Sequence, residues 1–173
     1  LSKLSAELLK GKKGAVIVSD PNGQILALFS APSFDPNWFI DKRYSREVAA
    51  LLTDEDLPLF NRAIGGQFHP GSVFKPVVAV AALSEGVIDE NYTFNDPGVI
   101  TIDKYSYSNW YFTQYGSTEG TIGLKRAIAR STDTFFYKIG ELTGIDDLVK
   151  WANKFGFNKE TKIDLPGEIS GLV

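Results

Sequence analysis

Segments with helical spacing of apolar residues and segments with strand spacing alternate along the chain. Near its start, leucines recur every three or four positions, which predicts a short amphipathic helix over residues 2–10. Two apolar runs at 15–18 and 24–30 flank the sequence Asp-Pro-Asn-Gly at 20–23, which favours a type I turn. This part of the chain therefore predicts a helix followed by a β-hairpin.

Most of the remaining apolar segments have helical spacing. The run Val73–Ser84 is apolar nearly all round, so a helix at this position must be buried. Thr53 and Asp56 have the spacing of a capping box, which predicts the start of another short helix. Alternation over 98–107 predicts a second hairpin or an irregular loop, and the tail 163–173 is predicted to be extended. Further helices are predicted at 43–52, 123–131, 134–142 and 145–155.

The composition is typical of a globular domain, because 43% of the 173 residues are hydrophobic and 23% are charged. This length predicts one domain. The net charge of -3 and the scattered lysines predict no nucleic-acid partner. The absence of cysteine excludes disulfides, thiol catalysis and thiolate zinc sites, and the lone His69 cannot form a metal site without carboxylates. We therefore expect no cofactor.

The chain contains no methionine and begins with Leu1, so we expect it to be a piece of a longer protein. No apolar run reaches the roughly 20 residues that cross a bilayer. A membrane anchor of the parent protein would then lie outside these residues.

The first candidate for chemistry is Ser72, which is followed three residues later by Lys75 at the predicted start of the buried helix. A serine hydroxyl is a poor nucleophile unless a nearby base accepts its proton, and Lys75 shares a helical face with Ser72. Because a chain with 13 Ser and 13 Lys contains about one such pair by chance, the spacing alone does not decide the role. A capping serine and a lysine that reaches solvent remain an alternative.

The second candidate is the pair Ser131 and Asp133, at the junction of two predicted helices. Ser131 could relay a proton and Asp133 could bind a substrate amide, although both residue types are also common helix caps. The aromatic residues between 105 and 115 could line a peptide cleft or pack on their own hairpin. The Gly-x4-Gly frame at 66–71 is followed by Ser72 instead of the lysine of a phosphate loop, which excludes that nucleotide site.

Taken in order, these motifs resemble the transpeptidase domain of penicillin-binding proteins. The resemblance runs from about residue 14 to the end of the chain and includes the first two of the family's Ser-x-x-Lys, Ser-x-Asn and Lys-Thr-Gly boxes. Asp133 in place of the usual Asn is similar to the class B enzymes that act in cell elongation. The matching segments are Asp20–Ala27, Pro32–Asn37, Asn61–Ala63, Pro70–Pro76, Ala127–Tyr137 and Ile163–Glu168.

The resemblance implies an α+β fold in which an antiparallel sheet packs against a helical lobe. Residues 1–173 would form a single partial domain, with the first β-hairpin at 14–30 and the helical lobe at 31–173. The chain contains no Lys-Thr-Gly box. We therefore expect it to be inactive alone, and we expect the remainder of the domain to cover the sheet edges as a companion segment or chain.

The resemblance also implies a peptidoglycan D,D-transpeptidase in which Ser72 is the acylated nucleophile, Lys75 the base and Ser131 the proton relay. Asp133 would bind the substrate. Peptidoglycan stem peptides would be the substrates and β-lactam antibiotics would acylate Ser72, in bacterial cell-wall synthesis and cell-shape maintenance. The parent protein would be anchored at the extracytoplasmic face of the bacterial cell membrane, together with cell-wall synthesis partners.

Two alternatives remain open. A serine β-lactamase or a β-lactam sensor shares the Ser-x-x-Lys box and differs in how the acyl group leaves. A non-catalytic binding or scaffold domain would keep the same fold without the chemistry.

Overall fold

A computed structural model describes residues 1–173. The chain divides into two compact units. The first unit contains residues 1–68 and 160–169, and the second contains residues 69–159 and 170–173. The single partial domain that the sequence predicts stays a prediction, and each unit is described by itself.

The predicted hairpin is the sheet of the first unit. Strands β1 (Gly14–Ser19) and β2 (Ile25–Ala31) pair antiparallel, with Val16 opposite Phe29. The Asp20 carboxylate closes the turn, because its Oδ1 accepts hydrogen bonds from the backbone N–H groups two and four residues later, at 2.8 and 2.9 Å. This Asx-type bonding makes the turn local in origin, which is why the sequence predicts it correctly.

The first unit also contains three helices. Helix α1 (Ser2–Leu8) ends two residues before the predicted end, where the chain enters a turn. Helix α2 (Ser45–Thr53) confirms the helix predicted at 43–52, and α3 (Arg62–Gly65) is a single turn. Short 3-10 turns precede α2 at Pro36–Phe39 and Lys42–Tyr44.

The prediction that Thr53 starts a helix is wrong. Thr53 is the last residue of α2, and its hydroxyl donates back to the carbonyls of Ala49 and Ala50 at 3.4 and 3.3 Å. The Asp54 carboxylate accepts a hydrogen bond from Asp56 N at 2.8 Å and forms a turn instead. A threonine that bonds back to its own helix cannot cap the next one.

The second unit is built on the predicted buried helix. A 3-10 turn (Gly71–Phe74) leads directly into α4 (Lys75–Ser84), which packs against α7 (Asp133–Thr143) and α8 (Ile145–Lys154). Helix α6 (Leu124–Arg130) precedes α7. The four helices confirm the predicted ones, and their apolar faces supply most of the core. The core residues are Val78, Ala79, Ala82, Ile88, Ile122, Ala127, Phe135, Phe136 and Ile139.

Four short strands also lie in the range 31–173 that the sequence predicts as the helical lobe. Strand β4 (Val99–Ile102) pairs with β5 (Tyr105–Ser108), as the alternation over 98–107 predicts. Strand β3 (Thr93–Asp96) pairs with β6 (Gly120–Gly123), and the sequence does not predict this pairing. Strands of four residues that are separated by 23 positions leave too little periodicity to detect.

Helix α5 (Trp110–Tyr115) follows β5 and precedes β6. Helices and antiparallel two-stranded sheets thus occur together, as the predicted α+β class requires. None of the helices combines the length and the apolar composition that a membrane span needs.

Candidate active site

Ser72 lies in the 3-10 turn immediately before α4, with an exposed side chain. Gly71 has a φ of +58°, a backbone conformation that favours glycine, and it lets the chain turn sharply into the helix. The helix begins at Lys75, one turn after Ser72. The two residues of the Ser-x-x-Lys motif therefore lie at the entrance of a buried helix, as predicted.

The Lys75 ammonium is held by the loop between α6 and α7. Its side chain is 13% exposed, and Nζ lies 2.8 Å from Ser131 O, 2.9 Å from Ser131 Oγ and 2.6 Å from Asp133 Oδ1. The alternative of a lysine that reaches solvent is wrong, because burial and three polar contacts fix the amine inside the unit.

Ser131 joins Lys75 to Ser72. The Ser131 Oγ lies 3.0 Å from the Ser72 Oγ and 2.9 Å from the Lys75 Nζ. The three polar atoms thus form a continuous path from hydroxyl to hydroxyl to amine. The structure brings together all the predicted catalytic residues, although Ser131 is 59 positions from Ser72.

The backbone of Ser131 is in the left-handed region, with φ 53° and ψ 43°. This conformation costs a residue other than glycine about 1–3 kcal/mol, and it persists only where the surroundings impose it. The residue ends α6, and its own N–H donates to Ile128 O at 3.1 Å. The left-handed turn directs both the hydroxyl and the carbonyl of Ser131 towards Lys75.

Asp133 has hydrogen bonds on both carboxylate oxygens. Oδ1 accepts from Lys75 Nζ, and Oδ2 accepts from Trp110 N at 3.3 Å. Its backbone N–H donates to Asn109 Oδ1, also at 3.3 Å. Asp133 therefore orients the lysine, and its predicted binding of a substrate amide stays a prediction.

Asp96 is a buried residue of this region that no sequence motif singles out. Its side chain accepts four hydrogen bonds, from Thr134 Oγ1, Glu119 N, Gly98 N and Asn109 Nδ2. Burial acts to raise the pKa of Asp96, but these hydrogen bonds outweigh it and lower the pKa below its ordinary value of 3.8. The ionised carboxylate thus ties β3 to the start of α7.

Trp110 is a second residue whose role the sequence analysis misses, although it belongs to the predicted aromatic cluster. Its indole Nε1 donates to Arg130 O at 2.8 Å, and its ring contacts Tyr111 and Tyr115 at 5.6 and 6.3 Å between centroids. Tyr107 packs on Tyr137 of α7 at 4.6 Å. The cluster thus packs within the second unit, and its predicted role in a peptide cleft stays a prediction.

The arrangement has the geometry of a proton relay. An ammonium has three donors and no acceptor, whereas a neutral lysine amine has two N–H groups and a lone pair. A neutral Lys75 could donate to Ser131 O and Asp133 Oδ1 and accept the Ser131 hydroxyl proton. Ser131 Oγ would then accept the proton of Ser72, which is the step that general-base activation of a serine requires.

No group of three or more His, Asp or Glu side chains comes together to hold a metal ion.

Comparison with protein families gives a match to the penicillin binding protein transpeptidase domain over residues 14–173. The chain is 45% identical over 167 residues to the peptidoglycan D,D-transpeptidase MrdA of Escherichia coli strain K12. This similarity covers 95% of this chain and 26% of that protein. The chain thus spans about a quarter of the length of the curated relatives it matches.

Two solved structures are similar over nearly all of the chain. PBP2 of Pseudomonas aeruginosa in complex with WCK 5153 has a TM-score of 0.81 and 36% identity, over 99% of this chain and 39% of that chain. Penicillin-binding protein A of Mycobacterium tuberculosis, an imipenem acyl-enzyme complex, has a TM-score of 0.82 and 30% identity, over 98% and 40%. These similarities confirm the predicted fold class.

Proposed function

Because the chain belongs to the family of penicillin-binding protein transpeptidase domains, we propose that it carries the acylation centre of a class B peptidoglycan D,D-transpeptidase. The supporting observation is the path from Ser72 Oγ through Ser131 Oγ to Lys75 Nζ, with steps of 3.0 and 2.9 Å. Ser72 is the nucleophile, Ser131 the proton relay and Lys75 the base. Asp133 orients Lys75 and binds an amide of the substrate.

The reaction begins when Ser72 Oγ attacks the carbonyl carbon of the penultimate D-alanine of a stem peptide. The Ser72 proton passes to Ser131 Oγ as the Ser131 proton passes to Lys75 Nζ. When the tetrahedral intermediate collapses, the C–N bond breaks and the terminal D-alanine leaves with the proton from Lys75. The acyl group remains on Ser72.

The second half of the reaction transfers the acyl group. An amine of a neighbouring stem peptide attacks the ester carbonyl and gives a proton to the relay, and the Ser72–acyl bond breaks. A cross-link forms and the Ser72 hydroxyl is restored. A β-lactam mimics the stem peptide and leaves Ser72 acylated, in line with the imipenem acyl-enzyme described for the mycobacterial relative.

The family resemblance implies a Lys-Thr-Gly box, which these 173 residues do not contain. We infer that such a box in the parent protein binds the substrate carboxylate and that its strand supplies an oxyanion-hole N–H. Loss of one such donor lowers kcat by about 10²- to 10³-fold in enzymes in which it has been removed. We therefore expect residues 1–173 alone to be inactive as a transpeptidase.

In the cell, the parent protein works at the extracytoplasmic face of the bacterial membrane, anchored by a segment outside this chain. Its role is cell-wall synthesis and cell-shape maintenance, together with other cell-wall synthesis proteins. A solved complex of PBP2 and MreC from Helicobacter pylori gives one such pairing for a relative of this chain.

The test is D-alanine release from a stem pentapeptide by the full-length protein. Ser72→Ala abolishes release, whereas Ser84→Ala, a change at the opposite end of α4, leaves it unchanged. Release that survives Ser72→Ala contradicts the proposal. Rapid hydrolysis of a β-lactam without D-alanine release would indicate a β-lactamase, and wild-type growth of a Lys75→Ala strain would indicate a scaffold.

A further inference from the structure

The turn at Ser131 needs restraint from its neighbours. Its left-handed backbone places Ser131 O 2.8 Å and Ser131 Oγ 2.9 Å from Lys75 Nζ. A change in the φ of Ser131, the torsion that follows the peptide between Arg130 and Ser131, would move both contacts together. Groups that fix this peptide therefore control the relay without contact with Ser72.

Trp110 holds the chain on both sides of Ser131. Its indole Nε1 donates to the carbonyl of the preceding residue, Arg130, at 2.8 Å. Its backbone N–H donates to Oδ2 of Asp133, two residues after Ser131, at 3.3 Å. One residue thus bonds to the peptide before the relay serine and to the carboxylate after it.

The side chain of Arg130 locks the indole in place. The guanidinium lies 4.9 Å from the Trp110 ring and 5.0 Å from the Tyr111 ring, both within cation–π range. Arg130 Nε donates at 2.8 Å to Glu119, whose side chain is only 1% exposed. Arg130 therefore contacts the same indole through its carbonyl and through its guanidinium.

The backbone of Trp110 is fixed by its neighbour Asn109, which is fully buried. Asn109 Nδ2 donates to Asp96 Oδ2 at 3.0 Å, and Asn109 Oδ1 accepts from Asp133 N at 3.3 Å. The position of Trp110 is thus set by a buried polar network.

We propose that Trp110 is a positioning residue for acylation of Ser72, acting through the peptide before Ser131 and locked by the Arg130–Glu119 pair. This proposal rests on the proposed function. The indole of Trp110 bonds to Arg130 O, before the relay serine, so loss of the indole N–H should alter the geometry of the relay. A phenylalanine variant keeps the backbone N–H that donates to Asp133, the proposed substrate-binding residue, so the affinity for the acyl donor should be retained.

The test compares Trp110→Phe with Trp151→Phe in the full-length protein. Both variants lose an indole N–H donor. Trp151 lies in α8, and its Nε1 donates at 2.6 Å to Glu85, at the end of α4 opposite to Lys75. We expect Trp110→Phe to lower the β-lactam acylation rate constant by about 10- to 100-fold, as misplacement of a reacting group does, and to leave the dissociation constant of the preceding complex within about twofold. Trp151→Phe should change neither.

A second variant tests the Arg130–Glu119 ion pair without altering the indole. Glu119→Gln keeps the shape of the side chain and removes its charge from Arg130. We expect acylation to slow about two- to tenfold, because the charge-assisted hydrogen bonds that Glu119 accepts from Arg130 and from Arg126 both weaken. This variant also decides the matter if Trp110→Phe does not fold, because unchanged acylation would then overturn the proposal.

Equal acylation rate constants in Trp110→Phe and Trp151→Phe would overturn the positioning role. If the wild-type protein is not acylated at Ser72, the proposed function fails. Crystal structures of Trp110→Phe and Trp151→Phe then test the positioning role separately. A longer Ser131 Oγ to Lys75 Nζ distance or a changed Ser131 φ only in Trp110→Phe supports it. An unchanged Ser131 in that variant overturns it.

Discussion

The hydroxyl oxygens of Ser72 and Ser131 lie 3.0 Å apart. The first belongs to a 3-10 turn that leads into a buried helix, and the second to a left-handed junction between two other helices. Neither conformation is the usual one for a serine inside a helix. The contact therefore depends on local backbone geometry at two separate places, which makes it sensitive to small changes at either.

Removal of the Ser131 hydroxyl should interrupt the relay. We expect Ser131→Ala and Ser131→Gly to slow acylation of Ser72 by about 10²-fold or more, the usual contribution of a positioned proton-transfer group. The free energy of unfolding should be about 1 kcal/mol higher for the glycine variant than for the alanine variant, because a left-handed backbone conformation costs alanine more than glycine. Stopped-flow acylation and chemical unfolding measure the two effects.

The alanine and glycine variants separate the effect of the Ser131 hydroxyl on acylation from the effect of its backbone conformation on stability. Wild-type acylation in both would contradict the relay. A glycine variant less stable than the alanine variant would contradict the left-handed conformation of residue 131.

Two buried threonines, one on each side of Asp133, should respond oppositely to the same substitution. Thr132 and Thr134 are both fully buried, but Thr132 Oγ1 has no hydrogen-bond partner, whereas Thr134 Oγ1 donates to Asp96 at 2.6 Å. Thr132→Val should raise the free energy of unfolding by about 1 kcal/mol, and Thr134→Val should lower it by about 1–3 kcal/mol.

Each threonine variant is the control for the other, since size, burial and substitution are matched. Denaturant unfolding, fitted with the same m-value for both variants, measures the two changes in the free energy of unfolding. A stability loss in Thr132→Val as large as that in Thr134→Val would show that the Thr132 hydroxyl has a partner.

Asp96 should make stability depend on acid pH. Because the folded-state pKa of Asp96 lies below its ordinary value of 3.8, the unfolded chain binds its proton first as the pH falls. The stabilisation is therefore fully present well above pH 3.8 and is lost as the pH falls below 3.8 through the folded-state pKa. Asp96→Asn would place an amide N–H₂ against donors and remove this contribution.

Thermal unfolding of wild type and Asp96→Asn between about pH 7 and pH 2.5 tests this dependence. The difference in unfolding temperature should be constant near neutral pH and should shrink in the acid range. A difference that stays constant at all pH values would contradict the ionised state of Asp96.

The elements with local causes were predictable from the sequence. The hairpin at 14–30 follows from a turn that Asp20 closes with its own neighbours, and α4 follows from an uninterrupted apolar run. The Ser-x-x-Lys and Ser-x-Asp motifs also lie where two helix boundaries were predicted. Their association in space came from the family resemblance, because no periodicity links Ser72 to Ser131.

The supporting network could not be predicted in the same way. Asn109 and Trp110 follow β5 and bond to Asp133 and Arg130, and Asn109 also bonds to Asp96 at the end of β3. The pairing of β3 with β6 leaves no detectable pattern because both strands are so short. The sequence Asp-Pro-Gly at 96–98 is the signal that indicates a turn there. It does not indicate that the aspartate is buried.

The most direct test of the acylation centre is peptide-mapped mass spectrometry of the full-length protein after treatment with benzylpenicillin. One persistent penicilloyl adduct is predicted on the peptide that contains Ser72 in the wild type, and none in Ser72→Ala. An adduct that survives Ser72→Ala, or no adduct on the folded wild-type protein, would contradict the assignment of Ser72 as the nucleophile.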